Sequence, residues 1–349
     1  MDTVKNISSY YGVKSDKLNR HYKKKVSGFE VWDQSKHACQ YLVFPNNIGS
    51  YLSIDELSLS KGELYTFVTN KEGKGKKGTI VAVIMGTKAD DIQAVLEKIS
   101  SEQRNLVKEV TLDMAKNMEA GVKKAFPNAS LVTDRFHVAK LALDALQHIR
   151  VKLRWAEMDK ENNAIAALKK AKKELNIALE VCKDDQKRKE LLKDYELQII
   201  NNQVVEHENG DTPKQLLARS RYILAKKENQ WTENQKERAC ILFTNYPELE
   251  TAYHEILAFR NIYEQTNIDI ARLKFETWIK KVQDNEMKPF YSVANTVNNN
   301  LDNILNFFKN RSTNANAESF NSKLKLFRAN LRGVVDTKFF LFRLHKLFA

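Results

Sequence analysis

The sequence predicts an α/β domain: a mixed five-stranded sheet interrupted by a large all-α insertion, with a short helical segment in front. Three observations predict it. Apolar runs of strand length, bounded by Gly, Asn and Asp, fill residues 51–86 and recur at 107–113 and 129–134. Between the later runs the apolar spacing changes to that of a helix face. After Asp134 the strand signals stop and helical ones continue to about residue 310.

Taken in order, residues 4–25 read as two short helices around Gly12, with Ile7, Tyr11, Val13, Leu18 and Tyr22 as their apolar positions. Lys14, Lys17, Arg20 and Lys23 lie on or near the second helix. This pattern suits a helix-turn-helix unit whose second helix enters a major groove, and it equally suits a plain helical corner.

Three strands are expected next, at YLSID (51–55), ELYTFVTN (63–70) and GTIVAVIMG (78–86). KEGKGKKG joins the last two as a hairpin connection whose lysines suit either solvent or a phosphate backbone. Ile92, Val95, Leu96 and Ile99 then fall at helix spacing. VKEVTLD (107–113) reads as a buried strand, and Met118, Val122, Ala125 and Phe126 mark a helix that ends at Pro127. ASLVTD (129–134) is the fifth strand. Short connections make the first three strands antiparallel, and helical crossovers make the later ones parallel. That β-β-β-α-β-α-β order is the order of the ribonuclease H-like fold.

The insertion begins with a helix face made by Val138, Leu141, Ala142, Ala145 and Ile149, and continues through a Lys/Glu-rich stretch at 159–200. Thr232 and Gln235 form a capping box, and Pro247 opens a further helix. In the last segment Phe320, Leu324 and Phe327 share a helix face that needs the sheet to pack on. The expected organisation is therefore an N-terminal segment (1–48), a first part of the core (49–137), an all-helical insertion (138–310) and C-terminal core helices (311–349).

Composition narrows the partners. In 349 residues, 57 Lys and Arg against 44 Asp and Glu leave a formal charge of +13, which favours a polyanion. The three cysteines, Cys39, Cys182 and Cys240, are too scattered for a zinc knuckle and too few for a disulfide framework. No apolar stretch approaches the roughly 20 residues that span a bilayer, so a soluble, intracellular protein is expected. P-loop, G-x-G-x-x-G, G-x-S-x-G and H-E-x-x-H motifs are absent, which leaves ATP-dependent and serine-hydrolase readings without support.

Four acids stand out because each sits at the end or start of an expected element. Asp55 ends YLSID, Asp113 ends VTLD, Asp134 opens DRFH, and Glu318 lies in the first turn of NAESFNSKLKLF. Two Mg²⁺ ions can activate a hydroxyl and stabilise a leaving oxygen in phosphoryl transfer, and Mg²⁺ prefers hard carboxylate oxygens. In the fold inferred above, the ends of the first and fourth strands are neighbours. Asp55 and Asp113 would meet there, and a helix crossing the sheet would bring Glu318 beside them. Each acid also has a plainer role: Asp113 or Asp134 as a helix N-cap, Glu318 as a helix-dipole partner, Asp55 as a turn residue.

SIDELSLSKGELYTFVTN, EVTLDMAKNME, FPNASLVTDRFHVAKLALDALQHIR and STNANAESFNSKLKLFRANLRG, in this order, resemble the ISL-three group of insertion-sequence transposases. These are bacterial DDE transposases with a ribonuclease H-like core. The resemblance runs from about Val4 to the C-terminus, and the DRFHVAK and AESFNSKLK blocks are its most specific parts. It implies that Asp55, Asp113 and Glu318 are the metal-binding triad, with Mg²⁺ as cofactor and Mn²⁺ as a substitute. It also implies that Asp134 and His137 form a D-x-x-H element in which His137 contacts the scissile phosphate and Arg135 assists. A competing alignment takes Asp134 as the second catalytic Asp. Asp113 is preferred because it ends the fourth strand, next to the first, whereas Asp134 ends the fifth.

The implied partners are terminal inverted repeats and target DNA, with a homo-oligomer acting on them among the DNA of the bacterial cytoplasm and no membrane involved. Members of the group commonly begin with a cysteine-rich zinc ribbon, which this chain lacks. End recognition is therefore expected to be reduced, or supplied by a separately encoded protein. The rival reading is a catalytically silent DNA-binding protein derived from such a transposase. A purely structural helical scaffold leaves the strand-end acids unexplained.

Overall fold

A computed structural model of the chain describes residues 4–60, 62–204, 206–284, 287–331 and 333–349. The strands are β1 (Tyr41–Val43), β2 (Tyr51–Ser60), β3 (Glu63–Asn70), β4 (Ile80–Met85), β5 (Glu109–Leu112) and β6 (Ser130–Thr133). The helices up to β6 are α1 (Val4–Tyr10), α2 (Ser15–His21), α3 (Ala89–Leu96), α4 (Ser101–Asn105) and α5 (Lys116–Ala125). After β6 come α6 (Arg135–Val181), α7 (Asp185–Asn201), α8 (Pro213–Arg219), α9 (Glu233–Asn245), α10 (Pro247–Ile262), α11 (Ile268–Asp284) and α12 (Lys288–Asn299). α13 (Leu301–Leu305), α14 (Phe307–Asn310), α15 (Ala315–Asn330) and α16 (Thr337–Phe348) complete the chain. By its contacts the chain divides into two units: Met1–Val138 with Thr266–Arg272 and Val297–Ala349, and Ala139–Gln265 with Leu273–Thr296.

The first unit is built on one sheet of order β1-β4-β3-β2-β5-β6. β2, β3 and β4 pair antiparallel, and β2–β5 and β5–β6 pair parallel, as the short and helical connections require. The expected sheet had five strands; the observed one has six. The added strand, β1, pairs antiparallel with β4 at Tyr41↔Ile84, and three residues are too few to show a period. β2 is also longer than expected. It runs past Asp55 to Ser60, so Asp55 lies inside the strand and not at its end. Glu56 and Ser58 interrupt the apolar run there, but Leu57 and Leu59 are buried and hold the alternation of a strand.

Alternation sends the two sides of each strand to different cores. Leu52, Ile54, Val68, Val110 and Leu112 pack with Ile92, Met118 and Val122 of α3 and α5. On the opposite face Leu57, Leu59, Tyr65, Phe67 and Val83 pack with Phe320, Leu324 and Phe327 of α15 and Phe340 and Leu344 of α16. Gly121 marks the closest approach of α5 to α3, since a Cβ there would stand 2.7 Å from the Ala89 carbonyl oxygen.

The two helices expected near the N-terminus form as α1 and α2 around Gly12 (φ 64°), and α2 runs on into a π-helical turn at Tyr22–Val26. Their expected apolar positions do not make a core. Ile7, Tyr11, Val13 and Tyr22 stay exposed, and Ser8 is the buried residue of α1.

The second unit is helical throughout its described residues. Leu217, Leu242, Leu249, Tyr253, Phe259, Phe275, Trp278 and Phe290 are buried, with the Phe259 and Trp278 ring centroids 4.7 Å apart. The expected capping box forms: the Gln235 side chain accepts from the Thr232 N–H at 3.2 Å, and Pro247 opens α10. Asp211 is buried and paired with Arg219 and Arg238, which together hold its carboxyl below the ordinary range against the upward push of burial. α7 buries no residue.

Candidate active site

The parallel register places three acids in one row. Ser53 lies level with Thr111, so two residues further along Asp55 comes level with Asp113. Leu112 lies level with Thr133, so Asp113 comes level with Asp134 one residue later. In the other direction Asp55 pairs with Phe67, and Phe67 with Val83. One row of the sheet is thus apolar over β4 and β3 and acidic over β2 and the ends of β5 and β6. All of it lies on the face that α15 covers.

Each acid is held differently. Asp55 is half-buried; its Oδ1 accepts the Glu56 N–H at 2.8 Å and its Oδ2 accepts Asn321 Nδ2 at 2.7 Å. Burial pushes its carboxyl above the ordinary range; the Glu56 N–H and His137 oppose that push, and the charges of Asp113 and Glu318 add to it. Burial, then Asp113 and Asp55, raises Glu56 as well. Asp113 Oδ1 accepts the Ala115 N–H at 2.9 Å, closing a turn ahead of α5 in place of capping the helix itself. Glu318 lies in the first turn of α15, half-buried, as expected from sequence.

Asp134 is 2% exposed, the most enclosed of the four. Its Oδ1 accepts the backbone N–H of Asn314 at 3.1 Å, and its Oδ2 lies 3.2 Å from His137 Nδ1. The Asp134 carboxylate therefore ties the start of α15 to the end of β6. The same contact raises the His137 imidazole above its ordinary value, against the downward push of burial and with further help from Asp113 and Asp55. Arg135, half-buried, opens α6, and Phe136 is exposed with its ring edge-on to His137 at 5.6 Å.

Below the acid row, on the same face, lies a buried polar layer that sequence reasoning missed. Lys71 Nζ reaches Glu109 Oε1 at 3.1 Å and also Thr111 Oγ1, while Asn310 Nδ2 donates to Glu109 Oε2 at 3.2 Å. Burial lowers the Lys71 amine, and Glu109 and Asp134 pull it back up. The signal was present in E-V-T-L-D, where Glu109, Thr111 and Asp113 alternate with the buried Val110 and Leu112. Asn321 and the fully buried Asn314 were missed too. Asn321 shows itself as a polar residue at a core position of the stripe Ala317, Phe320, Leu324, Phe327.

Of the basic residues expected to meet DNA, Lys14, Lys17 and Arg20 are exposed on or beside α2. Lys23 is engaged otherwise: it pairs with Asp336 and lies over the Phe29 and Phe339 rings. The 71–78 connection puts Lys74, Lys76 and Lys77 in solvent, and its Gly75 carbonyl accepts from Lys323 of α15 at 3.2 Å. It is therefore anchored to the helix that carries Glu318.

Asp55, Asp113 and Glu318 offer hard oxygen donors, and their mutual repulsion is what a divalent cation relieves. Among the described residues, however, no three His, Cys, Asp or Glu side chains stand close enough to hold one ion as they are placed. No helix among the described residues is long and apolar enough to cross a membrane.

The family model described as a transposase, of the ISL3 group, matches residues 52–344, which include all four acids and His137. Searches of the curated proteins and of the solved structures each return no match. The match spans most of the sequence, and DNA transposition goes with it: the chain belongs to the ISL3 group of transposases.

Proposed function

We propose that the chain is an insertion-sequence DNA transposase that cuts and joins strands with a ribonuclease H-like core. The observation that carries this reading is the row Asp55, Asp113, Asp134 across β2, β5 and β6, with Glu318 of α15 set over it. Asp55, Asp113 and Glu318 are the ligands for two Mg²⁺ ions, with Mn²⁺ as substitute. When bound, the ions lower the pKa of an attacking hydroxyl and stabilise the oxygen that leaves. The carboxylates orient that hydroxyl in line with the scissile P–O3′ bond at the terminal inverted repeat. Cleavage frees a 3′-OH, which the same residues then align on a target phosphodiester, so no covalent protein intermediate is needed.

Asp134, with Oδ1 on the Asn314 N–H and Oδ2 3.2 Å from His137 Nδ1, positions the His137 imidazole. His137 contacts the scissile phosphate, and Arg135 adds a positive charge. Residues 1–48 form an end-binding segment through Lys14, Lys17 and Arg20. The all-helical stretch 138–310 grips DNA or pairs two copies across two ends, while 49–137 and 311–349 supply the core. The anchored lysines of the 71–78 connection suit phosphate contacts, and the excess of basic residues predicts steep salt dependence. The protein acts on DNA in the bacterial cytoplasm, as a homo-oligomer.

The test is nicking of a supercoiled plasmid that carries the element's ends, with Mg²⁺ or EDTA. Losing a metal ligand forfeits several kcal/mol of transition-state stabilisation, so Asp113→Asn should lower the rate about 10³-fold or more. Asp134→Asn keeps an acceptor for Asn314 and should cost roughly tenfold. The reverse order would move the second ligand to Asp134. End binding without nicking by any sample would favour the silent DNA-binding reading.

A further inference from the structure

We propose that Asn321 is a positioning residue of the active site: its amide orients the Asp55 carboxylate and fixes the placement of Glu318 relative to it. This rests on the transposase reading above.

The buried face of α15 carries Ala317, Phe320, Leu324 and Phe327, the last three packed in the core shared with the sheet and α16. Asn321 occupies a position in that stripe and is only 8% exposed. An amide buried there costs about 1–3 kcal/mol unless it is bonded, and a leucine would extend the apolar stripe without that cost. The amide does find a partner, and the partner is Asp55 Oδ2 at 2.7 Å. An ionised carboxylate only accepts, so the NH₂ end of the amide must face it. With the Glu56 N–H on Oδ1, each Asp55 oxygen has one fixed donor and keeps further lone pairs for a cation.

Glu318 precedes Asn321 by three residues, nearly one turn, so the two share one side of α15. Four residues before Glu318, the Asn314 N–H is held by Asp134. The helix segment bearing Glu318 is thus fastened to two acids of the row, Asp134 before it and Asp55 after it. The Asn321 amide is the fastening that touches a proposed metal ligand directly. A leucine or a shorter side chain at 321 would leave Asp55 free to turn.

The experiment compares wild type, Asn321→Leu, the shorter Asn321→Ala, and Asp113→Asn, each bound to end DNA. Mn²⁺ binding is read by electron paramagnetic resonance, melting by circular dichroism, and nicking on the plasmid. A hydrogen bond to a charged group predicts half-saturating Mn²⁺ shifted upward by about 10- to 100-fold in both Asn321 variants, with nicking reduced to match. End-DNA affinity should stay within about twofold, and Asn321→Leu should melt no lower than wild type because it completes the apolar stripe. A folded Asn321→Leu or Asn321→Ala with wild-type Mn²⁺ half-saturation and nicking would overturn the assignment while leaving the transposase reading intact. Wild type whose Mn²⁺ binding matches that of Asp113→Asn would overturn the metal reading, and this inference with it.

Discussion

The two faces of the sheet obey the same alternation and do opposite things with it. Against α3 and α5 the face is apolar along β2, β5 and β6, from Leu52 and Ile54 through Val110 and Leu112 to Leu131. Against α15 it is apolar over β3 and β4 and turns polar over β2 and β5, where Ser53, Asp55, Glu109, Thr111 and Asp113 replace aliphatic residues. The parallel strands are buried on both sides, which ordinarily calls for continuous apolar runs. One side supplies the burial that stabilises the fold. The other gives up part of its burial to carry charge, and the surrounding packing holds those charges in register.

Three substitutions probe that division, beyond the nicking and Mn²⁺ experiments. The largest stability effect is expected from Lys71→Met, which leaves Glu109 buried without its cation and should destabilise by about 3–5 kcal/mol. Lys71→Met combined with Glu109→Leu should recover most of that loss. If the single variant unfolds in urea at the wild-type midpoint, the polar layer is not an integrated part of the face.

Leu112→Ala, on the apolar face, should cost about 2–4 kcal/mol in urea unfolding while leaving Mg²⁺-dependent nicking by the folded protein within a few fold. A loss of nicking larger than the loss of folded protein would mean that the faces are coupled through β5, and the comparison would fail.

The smallest effect depends on pH. His137 gains Asp134 as a partner, so its folded value lies above the ordinary 6.5. The stabilisation it contributes is therefore fully present below pH 6.5 and disappears as pH rises through the raised folded value. His137→Gln should destabilise the chain by about 1 kcal/mol at pH 5.5 and by little at pH 9. Equal losses at both pH values would show that the imidazole acts through packing alone.

Some of this was legible from spacing. The helix faces Ile92–Leu96 and Met118–Ala125, with Ile99 and Phe126 buried just past the helix ends, the antiparallel-then-parallel strand order and the stripe Phe320, Leu324, Phe327 all appear where the period places them. β1 escaped because it is short, and the second half of β2 escaped because Glu56 and Ser58 hide its alternation. Of the apolar residues around α1 and α2, Ile7, Tyr11, Val13 and Tyr22 stay exposed, since a periodic face says nothing about whether a partner covers it.

Local sequence thus determined which segments become strands and helices and which residue types stand at their ends, because those outcomes depend on side chains a few positions apart. Tertiary structure alone decided that Asp55, Asp113 and Asp134 form a row, that Lys71 pairs with Glu109, and that Asn321 reaches Asp55 across 266 positions of sequence. Those outcomes depend on strand register and on how α15 lies on the sheet, both fixed by the simultaneous burial of two apolar faces.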